Sequence, residues 1–136
     1  MVDADPRLAS AVTLRRNVTD GERSELLASC AAVVYTPSDE HFGIVPLEAM
    51  AAGRPVIAVC SGGPCETVIH GSTGWLCQPS ASAFAAAFDK VRRLARTDGG
   101  AGLRAMGDAA RRHVEASFSL DAFGAKLEAH AVRAAQ

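Results

Sequence analysis

The chain has 136 residues, 49% hydrophobic and 21% charged, with a formal net charge of −1. That is the length of about one domain, apolar enough for a core and without the basic excess of a nucleic-acid binder. No apolar run approaches the ~20 residues that cross a bilayer.

The start, Met1-Val2-Asp3-Ala4-Asp5-Pro6, lacks the basic and apolar stretches of a signal peptide. A soluble chain in a reducing compartment is therefore expected. Charge is unevenly spread, with 5 basic and 8 acidic groups in residues 1–60 and 9 and 7 in residues 61–136. Solvated helix faces explain so mild a bias.

Residues 1–10 read as a disordered lead-in. Asp3-Ala4-Asp5 has the Asp-x-Asp form of some metal sites, but it lies in a polar tail with no strand before it, so no metal is assigned there. Val12-Thr13-Leu14 is β-prone and predicts a short strand near 12–16. Thr19 or Asp20 can cap a helix from Glu22 to Ser29, with Leu26 and Leu27 facing inward.

Ala31-Ala32-Val33-Val34-Tyr35 then reads as a buried strand over 31–36. A continuous apolar strand between helical segments predicts a parallel sheet covered on both faces.

The next stretch, Glu40-His41-Phe42-Gly43-Ile44-Val45-Pro46-Leu47-Glu48, leads from that strand into the helix-forming run Leu47 to Ala52. It falls at the carboxyl end of a strand, where open parallel sheets bind ligands. Pro46 suits the first helical position. Glu48 then lies in the first turn, where the helix dipole favours negative charge. The N–H groups of Gly43 to Val45 would point out of the helix, as phosphate donors do. Taken as an arbitrary pair, glutamates eight apart are more simply two solvated acids.

Gly53-Arg54-Pro55 turns the chain into a second buried strand over 55–60. Ser61-Gly62-Gly63-Pro64-Cys65-Glu66 then repeats the first arrangement: strand, glycine, proline, and a glutamate two residues on. Gly62-Gly63 alone would be a tight turn. Beside the first stretch it predicts a second loop on the same sheet edge. The helix from Pro64 should stop at His70, with Gly71 as a left-handed cap and His70 as a surface group.

Gly71 to Cys77 is a turn and a last short strand near 73–77, with Trp75 in the core. Zinc through Cys60, Cys65, His70 and Cys77 is conceivable, but the spacings fit no structural zinc pattern, so free buried thiols are expected.

The remainder is helical. Phe84, Phe88, Val91 and Leu94 make one apolar face and Leu103, Met106, Ala110 and Val114 the next. Asp98-Gly99-Gly100 breaks the run between them. Ser119 caps the last helix, with Phe118 packing on Phe123 as a staple.

The run Tyr35 to Met50 resembles the donor-binding signature of retaining glycosyltransferases of family 4, which have the GT-B fold. Ser61-Gly62-Gly63-Pro64-Cys65-Glu66 is similar to the family's second loop, and Gly71-Ser72-Thr73-Gly74-Trp75-Leu76 to the turn after it. Within the family the likeness is greatest to mannosyltransferases of dolichol-linked oligosaccharide assembly.

The resemblance implies a doubly wound parallel α/β domain over residues 11–136 and a sugar nucleotide donor, GDP-mannose, with no metal cofactor. It implies that Glu48 receives the ribose hydroxyls and that Glu40, as the catalytic residue, holds hydroxyls of the transferred sugar. Backbone N–H groups of Phe42, Gly43 and Ile44 would meet the diphosphate or sugar, with His41 and Val45 in the same donor-binding stretch. The Gly62-Gly63 turn would close the nucleotide side. The acceptor would be a lipid-linked oligosaccharide at the cytosolic face of the endoplasmic reticulum.

The family's amino-terminal acceptor domain has no counterpart in this sequence. Neither do the first donor-domain strands, with the Arg and Lys that the family places on the diphosphate. The chain is therefore expected to be the carboxyl-terminal portion of a longer enzyme, inactive alone. Two other readings stay open: a non-catalytic α/β module that binds a nucleotide or partner, and a family member with another sugar donor. An epimerase of the same fold fits Tyr35 to Met50 less well.

Overall fold

A computed structural model describes residues 10–135. The Asp3-Ala4-Asp5 motif and nearly all of the expected lead-in lie outside them. The elements are α1 Asp20–Ser29, β1 Val33–Tyr35, α2 Ile44–Ala51, β2 Val56–Val59, α3 Pro64–Thr67, β3 Gly74–Cys77, α4 Ala81–Arg96, a 3-10 turn Thr97–Gly100, α5 Ala101–Phe118 and α6 Leu120–Ala134.

The three strands lie in sequence order, all parallel. Val33 pairs with Val56 and Val56 with Gly74, so the register places like-facing side chains in rows. Alternation along β2 divides the core. Val56 and Ala58 join Tyr35, Met50 and Ala110 on one face. Ile57 joins Trp75, Cys77 and Ala87 on the other.

The expected α/β parallel architecture is what forms. Its extent differs from expectation: among the described residues three strands make the sheet rather than four. Residues 12–16 carry no strand, and Val12 and Leu14 stand exposed. A parallel strand needs apolar side chains on both faces, and Thr13 and Arg15 deny it one. Asn17, at φ 53°, then turns the chain away.

Thr19 caps α1 reciprocally with Glu22. The Thr19 hydroxyl accepts from the Glu22 N–H, and the Glu22 carboxylate accepts from the Thr19 N–H at 2.8 Å. The Thr19 N–H and, after it, the Thr19 hydroxyl donate to the Glu22 carboxylate and hold it below its usual range. Leu27 packs against the core, but Leu26 is exposed, so only one of the expected pair turns inward.

Helix α5 closes the sheet from outside. Gly107 rests on the Gly53 backbone so closely that any Cβ there would strike the Gly53 carbonyl. Trp75 is buried, as expected, and Leu103 and Met106 pack beside it. Phe88 departs from the apolar stripe and is exposed. Phe123 is exposed too. The expected staple does not carry α6, because Phe118 turns back onto Phe42.

Helix α3 is only four residues long and does not reach His70. Val68 and Ile69 are β-branched and poor helix formers; Val68 takes an extended backbone and is buried. His70 then serves the sheet rather than a helix end, its Nδ1 accepting the Leu76 N–H at 3.0 Å.

Candidate functional site

The carboxyl ends of β1 and β2 carry two loops, residues 36–43 and 60–63, and these loops are joined. The Gly63 N–H donates to the Glu40 carbonyl at 2.8 Å. The Asp39 N–H donates to Ser61 Oγ at 3.3 Å, and that hydroxyl donates back to Asp39 Oδ1 at 3.1 Å. Gly62 and Gly63 are required here by space. A Cβ on Gly62 would collide with the Glu40 carbonyl, and one on Gly63 with that of Phe42.

Glu40 is exposed, but its carboxylate is anchored: the Tyr35 hydroxyl donates to Oε2. Tyr35 is buried at the end of β1, so the rigid strand sets the position of a carboxylate in a loop. The bond to Glu40, and after it burial, pushes the Tyr35 phenol above its ordinary range. Gly43 sits beside the same ring at φ 71°, a left-handed conformation that glycine adopts without strain.

Gly43 caps α2, and the helix begins at Ile44. Pro46 is therefore the third helical residue, not the first, and Glu48 the fifth, beyond the first turn. Proline is tolerated there because the opening N–H groups of a helix have no partner within it. Among the described residues, the N–H groups of Gly43, Ile44 and Val45 make no backbone hydrogen bond. The loop thus presents neighbouring unpaired donors beside the anchored Glu40. His41, Ile44 and Val45 have exposed side chains, and so does Phe42.

Glu48 faces α1. Arg23 Nη1 stands 2.8 Å from its Oε1 and 2.9 Å from its Oε2. Glu40 and the Gly62-Gly63 turn are thus brought into direct contact, while Glu48 is oriented separately by a cation from the preceding helix.

Three supports were not foreseen. Tyr35 had a weak signal, a lone tyrosine at a strand end five residues before a glutamate. Arg23 had none, being 25 residues from Glu48. The third is aromatic: Phe42 meets Phe118 edge-on at 6.3 Å, and Phe118 meets His113 at 5.5 Å. His113 Nε2 lies 3.1 Å from the Thr67 carbonyl, and the Thr67 hydroxyl donates to the Gly63 carbonyl at 3.2 Å. Helix α5 therefore braces both loops.

A concavity of about 490 Å³ lies elsewhere, at the amino ends of β1 and β2. Two of its three arginines, Arg54 and Arg104 but not Arg111, already serve as braces. Arg54 Nε donates to the Leu27 carbonyl at 2.8 Å and Arg104 Nη1 to the Gly99 carbonyl at 2.6 Å. The unpaired donors and the Glu40 carboxylate lie at the opposite end of the sheet.

The cysteines differ from expectation. Cys77 is buried and Cys30 half-buried, but Cys60 and Cys65 are exposed. No group of three or more His, Cys, Asp or Glu side chains fit to hold a metal occurs among the described residues. No helix among them is long and apolar enough to cross a membrane.

Residues 7–112 match the family model described as glycosyl transferases group 1. The human alpha-1,3/1,6-mannosyltransferase ALG2 is 47% identical over 121 residues, which is 88% of this chain and 28% of the relative. The Dictyostelium discoideum protein of the same name is 50% identical over 84 residues, 62% of this chain and 20% of the relative. The chain thus spans under a third of the length of these relatives.

Among solved structures, sucrose-phosphate synthase from Thermosynechococcus elongatus superposes with a TM-score of 0.73 at 35% identity. That match covers 96% of this chain and 32% of the other. Anabaena Alr3699/HepE in complex with UDP superposes with a TM-score of 0.58 at 27% identity, covering 82% and 29%.

Proposed function

The chain belongs to the glycosyl transferases of group 1, and from that premise we propose that it carries the nucleotide-sugar donor site of a retaining mannosyltransferase. The donor is GDP-mannose. The acceptor is a dolichol-linked oligosaccharide of N-glycan precursor synthesis, met by the whole enzyme at the cytosolic face of the endoplasmic reticulum, where it associates peripherally with the membrane. The mannosyltransferase relatives support mannose as the sugar, and the structural neighbour in complex with UDP supports a nucleotide diphosphate as the carrier.

The observation that carries the proposal is the junction of the two loops, with Tyr35 fixing Glu40 and the Gly43–Val45 N–H groups left unpaired beside it. Departure of GDP places negative charge on the diphosphate. Positioned N–H donors stabilise such developing charge, and hydrogen bonds to charged groups are each worth about 1.5–3 kcal/mol. Glu40 accepts hydroxyls of the mannose, held by the Tyr35 phenol at a fixed distance from the reacting carbon. Glu48 accepts the ribose hydroxyls, with Arg23 orienting its carboxylate. The residues supply positioning and charge without a metal cofactor.

This portion alone holds GDP-mannose weakly and transfers nothing, because the acceptor side is what supplies proximity. Calorimetric titration with GDP-mannose and UDP-glucose tests this. The expected result is a Kd weaker than about 1 μM, equivalent to less than about 8.2 kcal/mol, with GDP-mannose preferred and binding lost in Glu48→Ala. Equal or tighter binding of UDP-glucose would overturn the donor assignment. Submicromolar binding, or mannose transfer by this chain alone, would overturn its dependence on the rest of the enzyme.

A further inference from the structure

Cys60 and Cys65 bracket the loop Ser61-Gly62-Gly63-Pro64, one of the two loops that build the site. Their sulfurs are 3.7 Å apart, the Cys65 thiol donating toward Cys60 Sγ. Both ends are held by backbone. The Cys60 N–H extends the sheet by donating to the Cys77 carbonyl at 2.7 Å, and the Cys65 N–H donates to the Gly62 carbonyl at 3.0 Å. A thiol that only fills a core is buried, as Cys77 is; this pair is exposed. Proximity, exposure and a place at the ends of a loop bonded to Glu40 need an explanation other than packing.

We propose that Cys60 and Cys65 form a modification site, an oxidisable dithiol that closes to a disulfide under hydrogen peroxide and thereby weakens nucleotide binding at the adjoining loops. Its second half rests on the donor-site reading above.

The Cys60 thiolate attacks one peroxide oxygen. The O–O bond breaks, and the departing hydroxide takes the proton that Cys60 gave up, leaving a sulfenic acid and one water. Cys65 sulfur then attacks Cys60 sulfur. The S–O bond breaks, the S–S bond forms, and the departing hydroxide takes the Cys65 proton as a second water. Two thiols lose two electrons in all, and one peroxide becomes two waters. Slight desolvation of this exposed thiol, and then the bond to Cys60, push the Cys65 thiol up. In that bond Cys65 is the donor and Cys60 sulfur the acceptor, and this asymmetry assigns the first attack to Cys60 and the resolving step to Cys65.

Bonding draws the start of α3 toward the end of β2. The intervening glycines have no slack, because Gly62 and Gly63 already lie against the Glu40 and Phe42 carbonyls. Displacement of the loop is therefore passed to Glu40 and to the Gly43–Val45 donors. The exposed disulfide is open to thiols and hence reversible.

The test uses the whole chain. It is treated with hydrogen peroxide, alkylated and mapped by mass spectrometry, and GDP titrations of reduced and oxidised protein are followed by NMR. Alkylatable thiols should fall from four to two. The Cys60 and Cys65 peptides should be joined and two hydrogens lighter, and dithiothreitol should restore them. GDP affinity should drop by about tenfold or more, an energy of about 1.4 kcal/mol, and Cys65→Ser should keep its affinity under peroxide.

If Cys60 and Cys65 both remain alkylatable, or Cys60 pairs with Cys77, the dithiol is refuted. If oxidised and reduced chains bind GDP equally, the regulatory half is refuted while the disulfide stands. If neither form binds GDP, the donor-site reading and the regulatory half fall together, and thiol mapping still decides the chemistry.

Discussion

Arg23 on α1 grips Glu48 on α2 through a single nitrogen, 2.8 Å from one carboxylate oxygen and 2.9 Å from the other. The pair is partly exposed, so it contributes little stability, about 1 kcal/mol at most. Its effect is on direction: it fixes which way the Glu48 oxygens face.

Replacing Arg23 should therefore act on the donor more than on the fold. In the full-length enzyme, Arg23→Ala should raise KM for the donor by about tenfold, about 1.4 kcal/mol of binding, with kcat nearly unchanged. Arg23→Lys should recover part of the loss. Steady-state kinetics with varied GDP-mannose reads both, and an unaltered KM in Arg23→Ala would remove Arg23 from the site.

The two glutamates should separate in the same assay. Ribose contacts change little as the glycosidic bond breaks, so Glu48→Ala should mainly raise KM. Contacts to the transferred sugar strengthen toward the transition state, so Glu40→Ala should mainly lower kcat, by about a hundredfold if about 2.7 kcal/mol is lost. The reverse pattern would exchange the roles.

Tyr35 is the only tyrosine in the chain, so its ionisation can be followed by absorbance. Its phenol is held above the ordinary value of about 10. A raised native value means that the bond to Glu40 contributes fully below the unfolded value and is lost as pH rises through the native one. The titration midpoint should lie above that of the denatured chain and return toward it in Glu40→Gln. A midpoint equal to the denatured one would mean that the bond does not persist in solution.

Gly63→Ala should be strongly damaging. The added carbon meets the Phe42 carbonyl, a backbone atom that cannot swing aside. Overpacking of this kind costs about 1–3 kcal/mol. Thermal unfolding should show the loss, whereas Gly71→Ala, with open space around its Cβ position, should show only the strain of its left-handed backbone. Equal effects would mean that the loops are not in close contact.

Legibility in the sequence followed how local the cause was. The strands expected over 31–36, 55–60 and 73–77 occur as Val33–Tyr35, Val56–Val59 and Gly74–Cys77, because each is an apolar run closed by glycine or proline. The contact between Glu40 and the Gly62-Gly63 turn was legible because strand, glycine, proline and glutamate recur in the same order. The start of α2 was misplaced by two residues, since Pro46 is compatible with any position in the first turn. The strand at 12–16 failed because β propensity does not supply a neighbour. Arg23, Phe118 and His113 act across long sequence distances, and no pattern along the chain marks such pairings.

The strand order has a consequence for how the molecule assembles. Each strand pairs with the next one in the chain, so the sheet can grow one crossover at a time in the direction of synthesis, without waiting for a distant partner. Such ordering keeps each parallel crossover, a slow step in itself, as short as the chain allows. Helix α5 is the exception. Gly107 must find Gly53, and His113 must find Thr67, across stretches already folded. The two loops are therefore braced where α5 packs on them, through residues far along the chain from the loops themselves.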